Sequence, residues 1–284
     1  MRLLISSMVV FLTTLLLGSA VAQINLNPPN PPSEFLDSRR RLDGDTLRVC
    51  IGSDSLMAPL DRAVARAVGD VLLLDIQIVE IPSLRSRPIL DFRITLSQTE
   101  LFAALTNECQ AFAGYLLSTS RFADWLTITR PYVETRSVFA STDQVLDRLA
   151  AMPPGARIGT RIGANVDIRF LDLNDGRPQA QRWRRVPYPN NQLLIDRLRE
   201  GELDAVLMWE PALVLGLDGA PEQHGVFPGS TSPVVIENQS FGLILLQRDG
   251  FVRVALDEAI AELTSDGTIE RLLQETGIPG VVPD

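Results

Sequence analysis

Two consecutive α/β units, each a small parallel sheet clothed by helices, are predicted for this chain of 284 residues. Three observations predict them. Short apolar runs ending at or near glycine alternate with stretches of helical periodicity, the alternation is repeated in a second series, and the composition (45% hydrophobic, 21% charged) suits one or two ordinary globular cores. Regular β-α alternation implies parallel strands joined by helical crossovers.

The first series opens with Thr46 to Gly52 (TLRVCIG), a short apolar run closed by glycine. Pro59 to Val68 repeats apolar residues at helical spacing, with proline placed in the first turn, where its missing N–H costs nothing. Leu72 to Ile81 alternates as a strand, with Leu74, Ile76, Ile78 and Glu80 on one parity; Gln98 to Leu105 is helical, and Cys109 to Tyr115 is a strand that ends beside Gly114. The second series begins with an extended Arg136 to Ala140, a helix over Gln144 to Ala151 and a strand from Arg157 to Thr160 before Gly163. A helix from about Asn165, a polar strand at Trp183 to Val186, a helix from Asn191 to Arg199 and an apolar strand Ala205 to Met208 follow. The tail returns to an extended Ser240 to Leu246 and two helices, Val252 to Leu263 and Thr268 to Gln274.

All 26 basic residues are arginine, against 35 acidic ones, for a net charge of −9. An acidic chain without basic runs does not suit nucleic acid, whose phosphates need clustered cations. The lack of lysine removes Schiff-base chemistry and the phosphate-loop lysine. After Arg2 comes an apolar run from Leu3 to Leu17, then Ala20-Val21-Ala22 before Gln23. Residues 1–22 therefore read as a cleavable secretory signal, too short for a comfortable membrane span of about 20 apolar residues. A periplasmic protein, not membrane-embedded after cleavage, is expected; an uncleaved anchor is the alternative. Residues 23–45, rich in Pro and Asn, read as a flexible tether.

Export makes the two cysteines informative, because an oxidising compartment lets Cys50 and Cys109 pair. Cys50 lies in the first strand and Cys109 opens the third, and in a flavodoxin-like strand order those strands are neighbours. One disulfide is expected, with two buried free thiols as the alternative. Two cysteines and the lone His224, read as a loop residue, make no metal-ligand set, so neither metal nor cofactor is expected.

The run Gly114-Tyr115-Leu116-Leu117-Ser118-Thr119-Ser120-Arg121, followed by Asp124-Trp125 and Thr129-Arg130-Pro131-Tyr132, resembles the extracytoplasmic type-2 solute-binding proteins of the polar amino-acid family (family 3). In that family a glycine ends the strand, a Ser/Thr-rich turn follows, and an arginine seven residues on binds a ligand carboxylate. The resemblance implies a periplasmic binding protein-like II fold: two α/β lobes joined by two hinge strands, lobe 1 at 46–137 and 240–284, lobe 2 at 138–239. The crossings would fall near Arg136 to Ser141 and Ser240 to Leu246. Arg121 has its own physical logic, since a guanidinium beyond a strand end, flanked by hydroxyls and helix-start amides, is a bidentate anion receptor. A local pair with Asp124 is the alternative. The candidate ligand-binding set is Asp54, Tyr115, Ser118, Arg121, Asn165, Trp209 and Glu210.

The second lobe departs from amino-acid receptors in two places. Where they carry Gly-Thr/Ser opening a helix, this chain has Gly163-Ala164-Asn165, leaving Asn165 as a candidate cap. Where they place an aspartate for the ligand ammonium, it has Trp209, with Glu210 next, in Asp204-Ala-Val-Leu-Met-Trp209-Glu210-Pro211. An indole supplies no formal charge but can stack on a flat or cationic group; Glu210 either substitutes for the aspartate or opens a helix. Cys50, Cys109, Thr129-Arg130-Pro131-Tyr132 and the tryptophan after Asp204-Ala205-Val206 are also similar to the binding-protein-like accessories of quinoprotein methanol dehydrogenases. Three functions follow: a non-catalytic receptor handing a small polar, carboxylate-bearing solute to an ABC permease; an accessory of a periplasmic quinoprotein dehydrogenase; and a cyclohexadienyl dehydratase-like enzyme with Glu210 as its acid. A monomer is expected.

Overall fold

The computed structural model of the protein describes residues 44–82, 97–117 and 122–283. The predicted signal, nearly all of the tether, Ser118 and Arg121 lie outside the described residues. In chain order the first lobe is built from β1 (Thr46–Gly52), α1 (Ala58–Leu72), β2 (Asp75–Ile81), α2 (Gln98–Asn107), β3 (Ala111–Leu116), β4 (Leu126–Ile128) and β5 (Val133–Thr135). The second contains β6 (Ser137–Ser141), β7 (Arg157–Arg161), α3 (Asn165–Asp175), β8 (Arg184–Tyr188), α4 (Asn191–Arg199), β9 (Ala205–Trp209), α5 (Glu210–Gly216) and β10 (Phe227–Gly229). The chain then returns through β11 (Gln239–Leu246), α6 (Gly250–Ser265) and α7 (Thr268–Thr276).

One sheet runs β2-β1-β3-β11-β4, with β5 also on β11; the other runs β10-β6-β9-β7-β8. Both contain the same device. A parallel trio has its first strand in the middle (β2-β1-β3 and β8-β7-β9), and an antiparallel strand (β11 or β6) is laid beside its last member. Each sheet is buried on both faces, as parallel sheets are: Leu47, Val49, Ile51, Val64 and Ile260 lie in one cluster of the first lobe and Leu105, Trp125 and Ile244 in another. The second lobe repeats this with Leu194, Val206 and Leu213 on one side and Phe139, Ile158 and Phe170 on the other. A fully buried leucine or phenylalanine contributes about 1.5–3 kcal/mol.

The predicted elements are found with small shifts at their ends, save one. The helix expected over Gln144 to Ala151 is a single 3-10 turn at Leu149–Ala151. Asp143 explains it: its side chain accepts from Val145 N–H, its carbonyl accepts from the Ser141 hydroxyl and Leu146 N–H, and these local bonds compete with a helix. Of the crossings expected near Arg136 to Ser141 and Ser240 to Leu246, the first falls at Arg136, the one residue between β5 and β6, and the second between β10 and β11, just ahead of the expected run; β6 and β11 themselves each belong to one sheet.

Cys50 and Cys109 are joined by a disulfide, their Cα atoms 5.7 Å apart. Pairing of β1 with β3 brings them together, since Cys50 is the register partner of Phe112. His224 is exposed at the end of a 3-10 turn, Pro221–His224, whose first residue is buried.

Candidate ligand-binding site

Ligands of open α/β sheets bind outside the carboxyl ends of the strands. At the end of β3 the ladder with β11 is irregular: Tyr115 pairs with Gly242 and Phe112 with Ile244, so Ala113 and Gly114 together face Leu243. This is a β-bulge, and Gly114 takes the left-handed conformation it needs, with φ at 73°. Gly114 N–H donates to the Tyr132 hydroxyl at 2.8 Å, and that hydroxyl donates to Asp61 Oδ1 at 2.5 Å. Asp61 comes from the first turn of α1 and is wholly buried; its Oδ2 has no hydrogen-bond partner and lies where a Cβ on residue 114 would stand. Burial pushes the Asp61 carboxyl up to about 7 against the lowering effects of the Tyr132 hydrogen bond and the Arg62 charge. Burial, then the Asp61 charge, pushes the Tyr132 hydroxyl well above its ordinary value. Tyr115 follows the bulge, its ring 6.4 Å from that of Phe122, and burial raises its hydroxyl too.

The equivalent edge of the second lobe is the loop between β7 and α3. Its first helical turn also buries an aspartate, Asp167, but this one is fully served. Arg185 donates to both its oxygens at 2.7 and 2.8 Å, Thr160 Oγ1 donates at 2.6 Å, and Gly163 N–H reaches back at 2.8 Å. Burial would raise its pKa, yet these donors hold it below the ordinary carboxylate value. The expected cap is corrected here. Asn165 is the exposed first residue of α3, the N-cap is Ala164 without a side-chain bond, and Asp167 secures the turn in its place.

Between the lobes stands Trp209, the last residue of β9. It packs against core clusters of both lobes, lies 5.9 Å from the Phe241 ring and donates its indole N–H to Thr135 Oγ1 at 2.8 Å. Phe241 is the register partner of Leu116, so Trp209 borders the strand end that carries Tyr115. Leu56, from the turn after β1, packs against the second lobe's cluster, and Leu215 of α5 packs against the first lobe's. Glu210 opens α5, the structural one of its two sequence readings, and binds Arg136 with both oxygens at 2.8 Å while its own N–H donates to Arg136 O. Hydrogen bonding to Glu210 raises the Arg136 pKa.

Of the candidate set, the structure thus gathers Trp209 and Glu210 with Arg136, Thr135 and Phe241, beside the end of β3 that holds Tyr115. Asp54 is exposed in the turn after β1 and Asn165 at the start of α3, after the β7 loop. Sequence reasoning missed Asp61, Tyr132, Arg136 and Asp167. Two signals were present: Asp61 interrupts the apolar stripe Leu60, Val64, Val68, and Asp167 sits between Val166 and Phe170, so each puts a carboxylate on a helix face bound for the core.

No protein-family model and no curated protein matches the chain. Solved structures do. A domain with TM-score 0.62, 10% identical over 84% of this chain and 97% of its own, is the second substrate-binding domain of Lactococcus lactis GlnP in an open conformation. An amino-acid ABC transporter substrate-binding protein from Streptococcus pneumoniae, bound to L-arginine, is 19% identical with TM-score 0.53, covering 84% and 96% of the two chains. A histidine kinase sensor domain with similarity to periplasmic binding proteins has TM-score 0.53 at 16% identity, covering 86% and 99%. The fold is that of the periplasmic binding protein-like II class. Among the described residues no helix is long and apolar enough to cross a membrane.

Proposed function

We propose that the protein is an extracytoplasmic solute receptor that captures a small polar, carboxylate-bearing solute between its lobes for an ABC permease and does not transform it. The observation that carries this reading is the seam itself: Trp209, at the end of one parallel strand, bridges the cores of both lobes beside the bulged end of another. The fold shared with substrate-binding proteins supports it. Arg121, seven residues after Gly114, is the proposed carboxylate receptor, with Ser118 and Tyr115 as further proposed ligand-binding residues. Lobe boundaries at 46–137 with 240–284, and at 138–239, belong to the same proposal, as does export through residues 1–22. The enzyme alternative loses its support in Glu210, whose carboxylate is committed to Arg136.

The disulfide Cys50–Cys109 and the Trp209 position favour a second reading, an accessory to a periplasmic quinoprotein dehydrogenase. Native mass spectrometry of protein taken from its own periplasm separates the two. A retained small solute supports the receptor and a bound dehydrogenase the accessory. Thermal shift against carboxylates, amines and alcohols then ranks ligand classes, and no shift with any carboxylate would refute the carboxylate proposal.

A further inference from the structure

The acidic side chain under β3 is costly where it stands. Asp61 occupies the apolar stripe of α1, fully buried, with one carboxylate oxygen partnered by a single hydroxyl and the other by nothing. A buried carboxyl without donors is unfavourable, and Asp167, with four hydrogen bonds in the second lobe, shows how such a group is satisfied in this fold. Core stability gives no reason for Asp61; an aliphatic residue would continue the stripe of Leu60, Val64 and Val68. What Asp61 does touch is the bulge. A bulge leaves a backbone N–H outside the ladder, and a buried N–H requires an acceptor. Tyr132 supplies it to Gly114, and its own proton, directed at Asp61, keeps an oxygen lone pair turned toward Gly114. On the other side Asp61 Oδ2 stands where a Cβ on residue 114 would lie, so the carboxyl fits only a glycine there. From this fixed point the chain turns into Tyr115 and Leu116, which lie beside the Trp209 seam.

We propose that Asp61 and Tyr132 are positioning residues of the ligand site, holding the bulge at Gly114 and thereby aiming Tyr115 and the end of β3 at the seam between the lobes. This rests on the solute-receptor reading given above for what the strand end serves.

The test is Tyr132→Phe, which keeps the ring in the core and removes only the hydroxyl, with Asp61→Asn and Asp61→Ala as a second pair. Amide hydrogen exchange by NMR is read at Gly114 and Tyr115, with Val49 to Ile51 in β1 as internal reference, and glutarate serves as a carboxylate probe by calorimetry. In Tyr132→Phe the Gly114 and Tyr115 amides exchange at least tenfold faster while the β1 amides keep their rates, and glutarate affinity falls at least fivefold. Asp61→Asn, whose amide oxygen still accepts from Tyr132, retains protection that Asp61→Ala loses. Wild-type exchange at Gly114 in Tyr132→Phe, or equal acceleration in β1 and β3, overturns the proposal. If the wild type ignores glutarate but Gly114 responds as stated, the carboxylate reading loses ground and the role of the pair in holding the strand end stands.

Discussion

Arg136 and Glu210 close a two-pronged ion pair at the passage between the sheets, Nε to Oε2 and Nη2 to Oε1 both at 2.8 Å, while Glu210 N–H returns a bond to the Arg136 carbonyl. Since Arg136 is the single residue between β5 and β6, the pair ties the crossing to the start of α5. One residue earlier, Thr135 accepts the indole N–H of Trp209, so adjacent positions at the crossing are fastened to the last residue of β9 and the first of α5.

The pair should matter locally more than globally. The Arg136 side chain is 66% exposed, and pairs of that kind contribute no more than about 1 kcal/mol. Glu210→Gln is therefore expected to leave the unfolding free energy within about 1 kcal/mol of wild type while speeding exchange of the Glu210 and Ser137 amides severalfold. A loss of about 3 kcal/mol in urea unfolding would instead place the pair among buried ones.

Cys50→Ser should lower stability without touching the seam. The bridge spans 59 residues, for which the chain-entropy account gives about 4 kcal/mol, reduced in practice to about 2–4. Reduction of the wild type should reproduce the variant's denaturation midpoint. Agreement between reduced wild type and untreated wild type would mean that the bridge adds nothing.

Stability should fall as pH rises toward neutrality, because of Asp61. Its folded pKa of about 7 stands above the ordinary 3.8, so between those values the native protein holds a proton that the unfolded chain has released. The contribution is complete below about pH 4 and gone above about pH 7, amounting to roughly 4 kcal/mol at most. The groups acting on it are Tyr132 and Arg62. Asp204, held down by hydrogen bonding from Arg157, and Asp167, held down by Arg185, Thr160 and Gly163 against burial, act in the other direction and lose their contribution only as pH falls below the ordinary carboxylate value. Asp61→Asn should abolish the decline between pH 5 and pH 7.5 in urea unfolding; an identical slope in wild type and variant would assign it elsewhere.

For the proposed carboxylate receptor, Arg121→Ala is expected to weaken an anionic ligand by about 2–4 kcal/mol and leave the far-ultraviolet circular dichroism unchanged. Calorimetry with the best carboxylate from the thermal-shift panel checks it. Unaltered affinity removes Arg121 from the site.

Much of this was legible in the chain because it is written locally. Alternation of apolar runs with helical periodicity gave the two βαβ series, and it placed Cys50 on β1 and Cys109 just before β3, strands that the order β2-β1-β3 makes neighbours; Gly114, read as closing a strand, instead sits inside β3 at its bulge. Periodicity failed at Gln144 to Ala151, where Asp143 offered the backbone local bonds that no apolar pattern records. The helix expected from about Asn165 does begin there, but Asn165 is not its cap, since Asp167 secures the turn from within the helix, using donors on β7, its following loop and β8.

The longer strands and most helices, and their order, were thus settled by residue spacing, which depends on neighbours a few positions apart; the short strands β4, β5 and β10 were not. Which carboxylates are sheltered, which are bonded and which face the seam was decided only when distant segments met. Asp61 encounters Tyr132 across 71 residues and Arg136 encounters Glu210 across 74, and an electrostatic environment belongs to the assembled neighbours rather than to the residue that feels it.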